Sequence, residues 1–324
     1  MHHNTNFMKF PKIPAPTAKL SSKELESHGD IRVDTYFWLN ERDHPDVLAY
    51  LEEENQYGNQ MCSVFEELEN KLFEEITRRI VQNDESAPYF VNGYWYKTKF
   101  EEHKEYPVYV RYENSLENKE EVILNVNQMA EGHNYYHVGS MAISPDNKFL
   151  AYTEDLQSRR IYSICLKNLE TGEVFPMKIP NSSTCLAWTN DSKNLYYVTK
   201  DETLREYRVM LHEIGTDFQQ DKLIYEEEDE TFYVSVGKTK DKKYILIHST
   251  SALESEYRYI DATHAENKLN LFQGRIKNLE YYIDHKDQDW FIRTNKMGPN
   301  FGMMICEDQN TGIDNWRSLL PYDD

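Results

Sequence analysis

Polar turns alternate with strand-like segments along most of this chain, and one such pattern returns four times. Each copy is a turn built on Asp, often with Lys, followed by alternating apolar and aromatic residues that suit a strand. The shared Asp recurs after 45, 50 and 46 residues, at Asp146, Asp191, Asp241 and Asp287. A repeat of about 40 to 50 residues with strand-like content predicts the blades of a β-propeller.

The first 80 residues follow a different pattern. Three prolines before Ser22 predict an extended arm. Pro45 suits the first position of a helix, and apolar residues then recur at steps of three and four. This spacing predicts helix to about Val81, with Gly58 as the point where it would break. Beyond it, the Asn92-Gly93 pair between aromatic segments predicts a β-hairpin that opens the first blade.

Composition narrows the class of protein. The chain has 324 residues, of which 13% are aromatic, including 24 Tyr, so it is expected to fold rather than stay disordered. Its formal net charge is −20, which argues against nucleic acid as a partner because phosphates need a basic surface. The start of the chain lacks the apolar core of a signal peptide, and no segment is long enough for a membrane span. We therefore expect a cytoplasmic protein without a membrane partner.

No local motif in the sequence supplies catalysis. None of the 12 glycines begins a Gly-x-Ser-x-Gly elbow, and phosphate-binding loops and zinc-protease motifs are absent. His133 and His137 are spaced for a helical metal site, but their flanks read as loop and strand, which favours a structural role. The four cysteines form no C-x-x-C pair. The acidic run Glu226 to Glu230 is interpreted as a solvated turn. We therefore expect no cofactor and no metal, and assign neither catalytic nor substrate-binding residues.

Blocks of sequence in one order nevertheless resemble a known family. They include HGDIRVDTYFWLNERDHPDVLAYLEEENQY from His28, NGYWYKTKFEEHKEYPVYVR from Asn92, AEGHNYYHVG from Ala130 and AISPDNKFLAYTEDLQSRR from Ala142. Together they resemble the prolyl oligopeptidase family of serine peptidases, and its oligopeptidase B branch most of all. His103 departs from the Gly that is common in its turn, and the segment after Trp38-Leu39 is longer than usual.

The resemblance implies an α/β-hydrolase peptidase domain capped by a seven-bladed propeller. Residues 1–80 would be the arm and helices of the peptidase domain, and residues 81–324 a partial propeller of about five blades. The fold class is thus mainly β, with an incomplete propeller after a helical segment. The Ser, Asp and His triad would follow Asp324, so this chain alone would be inactive and would lack its C-terminal peptidase domain.

The resemblance also implies a function for the whole protein. It would hydrolyse short basic peptides after Arg or Lys, with the propeller gating their access. A glutamyl or prolyl specificity within the family stays open. The alternative from a different class is a free-standing propeller-like module that binds a protein partner without catalysis.

Overall fold

A computed structural model describes residues 9–265, 268–320 and 322. The chain divides into two compact units, Met1–Gln82 and Asn83–Asp324. The α-helices are α1 (Pro45–Cys62), α2 (Glu66–Thr77) and the short α3 (Val126–Met129). No helix in the described part of the chain has the length and apolar character needed to span a bilayer.

The first unit begins with a β-hairpin that the sequence analysis did not predict. Its strands are β1 (Lys23–Ser27) and β2 (Asp30–Asp34), which pair in antiparallel register. His28 and Gly29 form the turn with φ values of 53° and 80°, as a tight two-residue hairpin requires. Strand β2 alternates apolar and polar residues, but it is only five residues long, and β1 has a single apolar residue, Leu25. Two short, mostly exposed strands give too little of this alternation to predict a hairpin.

The helices of this unit correct two expectations. Helix α1 begins at Pro45 and runs through Gly58, where a break was expected. Glycine costs about 1 kcal/mol in a helix but still donates its backbone hydrogen bond, so the helix tolerates it. The interruption is instead the 3-10 turn Ser63–Phe65, where the Ser63 hydroxyl donates to the Gln60 carbonyl at 2.8 Å. Helix α2 then ends at Thr77 rather than near Val81.

The described part of the second unit forms five antiparallel blades, each with four strand positions. Blade 1 contains β3 (Asp84–Glu85), β4 (Tyr89–Val91), β5 (Tyr94–Phe100), β6 (Val108–Glu113) and β7 (Glu120–Asn125). In blade 1, β3 and β4 both pair with β5 and together form the innermost position. Blades 2 and 3 share β11, and their strands are β8 (His137–Ile143), β9 (Phe149–Asp155), β10 (Tyr162–Asn168), β11 (Val174–Trp188), β12 (Asn194–Lys200), β13 (Glu206–Glu213) and β14 (Lys222–Glu226).

The remaining two blades are separate four-stranded sheets. Blade 4 contains β15 (Tyr233–Lys238), β16 (Tyr244–Thr250), β17 (Ser255–Asp261) and β18 (Asn270–Gln273). Blade 5 contains β19 (Tyr281–Lys286), β20 (Asp289–Thr294), β21 (Gly302–Glu307) and β22 (Arg317–Ser318). Large aromatic side chains pack between these two blades, among them the buried Tyr257, Phe272, Tyr281 and Trp290. The prediction of a mainly β fold with about five propeller blades is confirmed.

The predicted turns occupy one position in every blade, between its first and second strands. In three copies the turn has the same hydrogen bonds: the hydroxyls of Ser144, Thr189 and Thr239 donate to the Asp carboxylate two residues later, at 2.6 to 2.7 Å. The fourth copy differs. Lys286 pairs with Asp289 around a two-residue turn in which Asp287 has φ of 61°. The Asp spacing therefore predicted the blades correctly, although its last member belongs to a tighter turn.

Candidate functional site

A cavity of about 460 Å³ lies mainly among the first strands of blades 1 to 4, with Tyr96 of β5 and Ile123 of β7 also lining it, and we call it the inner-strand cavity. Its wall is mostly apolar, with side chains that include Val91, Ile123, Met141, Leu186 and Trp188. Three lysines line it as well: Lys238, Lys240 and Lys242. Its volume falls within the range of roughly 300 to 1,000 Å³ that is usual for small-ligand sites. An apolar wall with a few grouped charges suits a ligand that is itself apolar and charged at one end.

The repeated Asp turn places these lysines. Lys238 is the last residue of β15, and Lys240 and Lys242 lie in the turn that follows. In that turn, Thr239 donates to the Asp241 carboxylate at 2.7 Å, which also accepts the backbone N–H of Lys243 at 3.1 Å. These bonds fix the backbone that carries the lysines.

Two of the lysines tie blade 4 to other blades. The Lys238 ammonium donates to the Trp188 carbonyl at 2.8 Å and to Asn190 Oδ1 at 2.5 Å, both in blade 3. The Lys242 ammonium donates to Asn92 Oδ1 at 2.6 Å, in the first turn of blade 1. An ammonium group has three donors, so Lys238 retains one and Lys242 retains two.

The lining of the cavity is positively charged although the protein is strongly acidic. Among the described residues that line it there are three lysines and no carboxylate. Burial, with the Lys242 charge nearby, lowers the pKa of Lys238 to about 8. Lys240 is mostly exposed, and its ammonium lies 3.8 Å from Asp284, which does not line the cavity. The cavity therefore favours an anion.

Tyr96 adds a polar group to the wall. It is 3% exposed, it lines the cavity, and its hydroxyl donates to no acceptor among the described residues. Burial raises the pKa of Tyr96, an effect that the charge of Arg111 and the approach of its N–H groups to the hydroxyl oxygen oppose. Three of the five Arg111 donors bond elsewhere, to the Glu121 carboxylate at 2.8 and 2.9 Å and to the Asn147 carbonyl at 3.0 Å. A buried hydroxyl proton without an acceptor costs free energy, so a ligand or water that accepts from it would be stabilised here.

The described lining holds no serine, cysteine or histidine. It therefore lacks the Ser–His or Cys–His pairing of nucleophile and base that many acyl-transfer enzymes use. What the cavity offers is ammonium and phenol donors over an apolar wall. This arrangement can bind an anionic ligand, but it does not supply an acyl-transfer reaction.

A second cavity, of about 650 Å³, is bordered by the turns that join the second and third strands of blades 2 and 3. Its lining mixes both signs of charge, and most of those charges are already paired. Lys200 lies 3.1 Å from Glu206, and the Arg205 Nε donates to Asp201 at 3.1 Å. Arg205 also donates to the Phe232 carbonyl at 3.0 Å. These bonds connect blade 3 to the loop before blade 4, which indicates a structural role.

The acidic run at Glu226 to Glu230 corrects another expectation, because it is not simply a solvated turn. Glu227 is 3% exposed and accepts hydrogen bonds from Arg275 and from the Tyr225 hydroxyl, the latter at 2.8 Å. These hydrogen bonds lower its pKa although burial alone would raise it. The ion pair with Arg275 compensates the charge of the buried Glu227 carboxylate. The two residues lie far apart in the sequence, so no local pattern predicts this burial.

The histidines considered for a metal site have ring partners instead. The His133 ring lies against Tyr136 at 5.5 Å between centroids. The His137 Nδ1 is 3.3 Å from the Tyr162 hydroxyl. Across the described residues, no group of three or more potential ligands is arranged for a metal ion.

The lysines and Tyr96 were not identified from the sequence. A usable signal was present, because Lys238, Lys240 and Lys242 alternate within GKTKDKK, the third copy of the repeated turn. By itself this alternation indicates only a polar turn. The cavity itself depends on four blades that no local pattern brings together.

Comparisons with known proteins agree with this architecture. The sequence profile of the prolyl oligopeptidase N-terminal β-propeller domain matches residues 16–324. The chain is 37% identical to dipeptidyl aminopeptidase BI of Pseudoxanthomonas mexicana, over 99% of this chain and 47% of that protein. It is 31% identical to protease 2 of Moraxella lacunata, over 90% of this chain and 43% of that protein.

Among solved structures, oligopeptidase B from Leishmania major superposes with a TM-score of 0.87 at 27% identity, covering 94% of this chain and 46% of that one. The chain thus spans about half the length of the proteins it matches. A propeller with five blades, the profile match and the identity to these peptidases agree with one another. The chain therefore belongs to the prolyl oligopeptidase family, and it contains the N-terminal β-propeller domain of that family.

Proposed function

We propose that this chain is the propeller portion of an oligopeptidase B-like serine peptidase that hydrolyses short peptides after Arg or Lys. The observation that carries the proposal is the match to peptidases along nearly the whole chain, which spans less than half of each of them. The catalytic serine, aspartate and histidine would belong to a peptidase domain outside these 324 residues.

In the proposed mechanism, the serine attacks the scissile carbonyl while the histidine takes its proton. The aspartate orients the histidine, and backbone donors stabilise the oxyanion of the tetrahedral intermediate. The histidine then gives the proton to the leaving amine, and water hydrolyses the acyl-enzyme. None of these groups is assigned to a residue of this chain.

The propeller would serve as a filter. Its inner-strand cavity, of about 460 Å³, has room for a short extended peptide and none for a folded domain. Opening and closing between the domains would then control access of the peptide to the catalytic groups.

The proposal is tested on two proteins. The purified 324-residue chain is expected to show no hydrolysis of an Arg-containing reporter peptide, whereas the protein that also carries the peptidase domain hydrolyses it. A serine-directed inhibitor should abolish the second activity. Measurable hydrolysis by the 324-residue chain would contradict the assignment of catalysis to another domain.

A second candidate activity is the release of dipeptides from the amino terminus. It is favoured by the 37% identity to a protein named dipeptidyl aminopeptidase BI. Reporter peptides with a free and with an acetylated amino terminus distinguish the two activities. Cleavage of only the peptide with a free amino terminus would support release of dipeptides. Cleavage of both peptides would support endopeptidase activity.

The alternative of a binding module without catalysis is distinguished by the coding sequence beyond Asp324. Further blades and a Gly-x-Ser-x-Gly elbow in the same frame support the peptidase. A stop codon directly after Asp324 supports the binding module.

A further inference from the structure

The inner-strand cavity combines features that point to one class of ligand. Its only charged groups among the described lining residues are three ammonium groups, in a protein with a net charge of −20. These groups all come from β15 and the turn after it, so the positive charge is concentrated on one element. The apolar wall is contributed mainly by the other three blades.

We propose that the inner-strand cavity binds the C-terminal carboxylate of a peptide whose last side chain is apolar. The carboxylate accepts hydrogen bonds from Lys238 and Lys242, and the apolar side chain packs on the wall near Met141, Leu186 and Trp188. This inference deepens the proposed function and rests on it for the choice of a peptide.

The free donors of the lysines match a carboxylate. Lys238 uses two of its three donors on Trp188 and Asn190, and Lys242 uses one on Asn92. One donor of Lys238 and two of Lys242 are left to reach a carboxylate, which accepts several hydrogen bonds. Hydrogen bonds between charged groups are about twice as strong as neutral ones, and the partial burial of the site reduces their screening.

The rest of the cavity favours an amphipathic ligand over a small inorganic anion. A phosphate ion would leave the apolar wall and the Tyr96 hydroxyl without a partner. A peptide supplies both an apolar side chain and backbone carbonyl groups, one of which can accept the hydrogen bond of the buried Tyr96 hydroxyl. Tyr96 belongs to blade 1, so such a ligand would contact elements distant in the sequence.

The test measures binding to the intact 324-residue chain by isothermal titration calorimetry. The probes are N-acetyl-Ala-Ala-Ala-Phe with a free carboxylate and the same peptide as its C-terminal amide. We expect the free acid to bind at least about tenfold more tightly than the amide, since the amide lacks the charge. The preference should shrink as salt is raised. Equal affinities for the two peptides would overturn the proposal.

Variants locate the site. Lys242→Gln keeps a hydrogen-bond donor but removes the charge on an exposed turn. It should weaken binding of the free-acid peptide by about fivefold and leave binding of the amide peptide unchanged. The matched control is Lys193→Gln in the equivalent turn of blade 3, which is exposed and does not line the cavity. It should change neither affinity by more than about twofold. An equal loss of affinity for the free-acid peptide in both variants would show a non-specific charge effect and would contradict the proposed site.

Two further measurements sharpen the outcome. Tyr96→Phe should weaken binding of the free-acid peptide and of the amide peptide by the same factor, because the proposed hydrogen bond of the Tyr96 hydroxyl goes to a backbone carbonyl that both peptides have. No change in either affinity would overturn that contact. Decanoate, a fatty-acid anion, tests the other class of ligand with an apolar chain and a terminal carboxylate. If decanoate bound at Lys242 and the peptide did not bind, the choice of a peptide as the ligand would be overturned. Binding is measured without hydrolysis, so a negative result leaves the proposed peptidase reaction intact.

Discussion

At the scale of single residues, two glycines show how differently the innermost strands are packed. Gly139 lies in β8, where an added Cβ would be 2.6 Å from both Thr184 Cγ2 and Tyr162 Cε1. Gly237 lies in β15, and among the described residues no atom outside its chain neighbours is within 4 Å of a Cβ added there. The two strands are equivalent in their blades, so the difference comes from what packs against each of them.

We therefore predict opposite outcomes for the same substitution. Gly139→Ala should lower the free energy of unfolding by about 1 to 3 kcal/mol, because Thr184 and Tyr162 must shift to admit the methyl group. Gly237→Ala is the matched control and should change stability by no more than about 0.5 kcal/mol, or raise it slightly. Urea denaturation of both variants decides the question, and equal losses would contradict the packing described here.

His248 provides a prediction that depends on pH. Its ring stacks on Tyr257 at 4.1 Å between centroids, and its Nε2 is buried without a partner among the described residues. Burial lowers the pKa of His248 to about 4. Between this value and the ordinary pKa of about 6.5, the unfolded chain binds a proton that the folded chain does not. Stability is then lost as the pH falls through this window.

The corresponding experiment compares the wild type with His248→Phe, which keeps an aromatic ring against Tyr257. Between pH 6.5 and pH 4 the wild type should lose about 2 to 3 kcal/mol more stability than the variant. Urea midpoints across this range provide the measurement. Parallel pH profiles for the two proteins would show that His248 binds its proton as readily in the folded chain as in the unfolded chain, which would contradict the prediction.

At the scale of elements, the repeated turn is a small hydrogen-bonded unit that starts the second strand of a blade. In blade 4 the Thr239 hydroxyl donates to Asp241 and accepts the backbone N–H of Tyr244 at 3.0 Å. Ser144 accepts from Phe149, and Thr189 from Asn194, in the same way. The hydroxyl thereby satisfies a carboxylate and a backbone donor in a buried position.

Removing one of these hydroxyls should destabilise the blade. Thr239→Val keeps the shape of the side chain but leaves the Tyr244 N–H and the Asp241 carboxylate each short of a partner, which should cost about 1 to 3 kcal/mol. Thr171→Val is the control: the exposed Thr171 accepts only one hydrogen bond, from Glu173 at 3.2 Å, so about 0.5 kcal/mol or less is expected. Thermal unfolding of the two variants tests the prediction, which fails if both melt like the wild type.

At the scale of the molecule, each unit leaves apolar surface exposed. On α2, Leu68, Leu72 and Ile76 are 44%, 46% and 59% exposed, and Phe73 is 69% exposed. Phe65, just before α2, is partly covered by Phe10 at 5.7 Å between ring centroids. Exposed apolar faces of this kind mark surfaces that associate with a partner or with another copy of the chain.

We expect the 324-residue chain to self-associate through this face of α2. Phe73→Glu should shift the weight-average mass in sedimentation equilibrium toward the monomer, because it places a charge within the apolar face. The control Glu74→Gln, on the same helix, should leave the association unchanged. A wild-type chain that stays monomeric at every concentration would contradict the prediction.

Features that depend on neighbouring residues follow from the amino-acid sequence alone. The Asp turns, the Asn92-Gly93 hairpin and the alternation of apolar residues are set by local hydrogen bonds and by the two-residue period of a strand, so blades and their number could be predicted. The family resemblance rests on the same local blocks. The break in the helices was misplaced because Gly58 is only a weak local signal, which the helix overrides.

Contacts between residues distant in the sequence depend on how the blades assemble in three dimensions. The contact between Lys242 and Asn92 joins positions 150 residues apart, and the ion pair of Arg275 with Glu227 links the loops that precede and follow blade 4. Such contacts depend on how the blades pack around their inner strands, which single-strand patterns do not encode. For that reason the sequence predicted the propeller, whereas the lysine-lined cavity inside it became visible only in three dimensions.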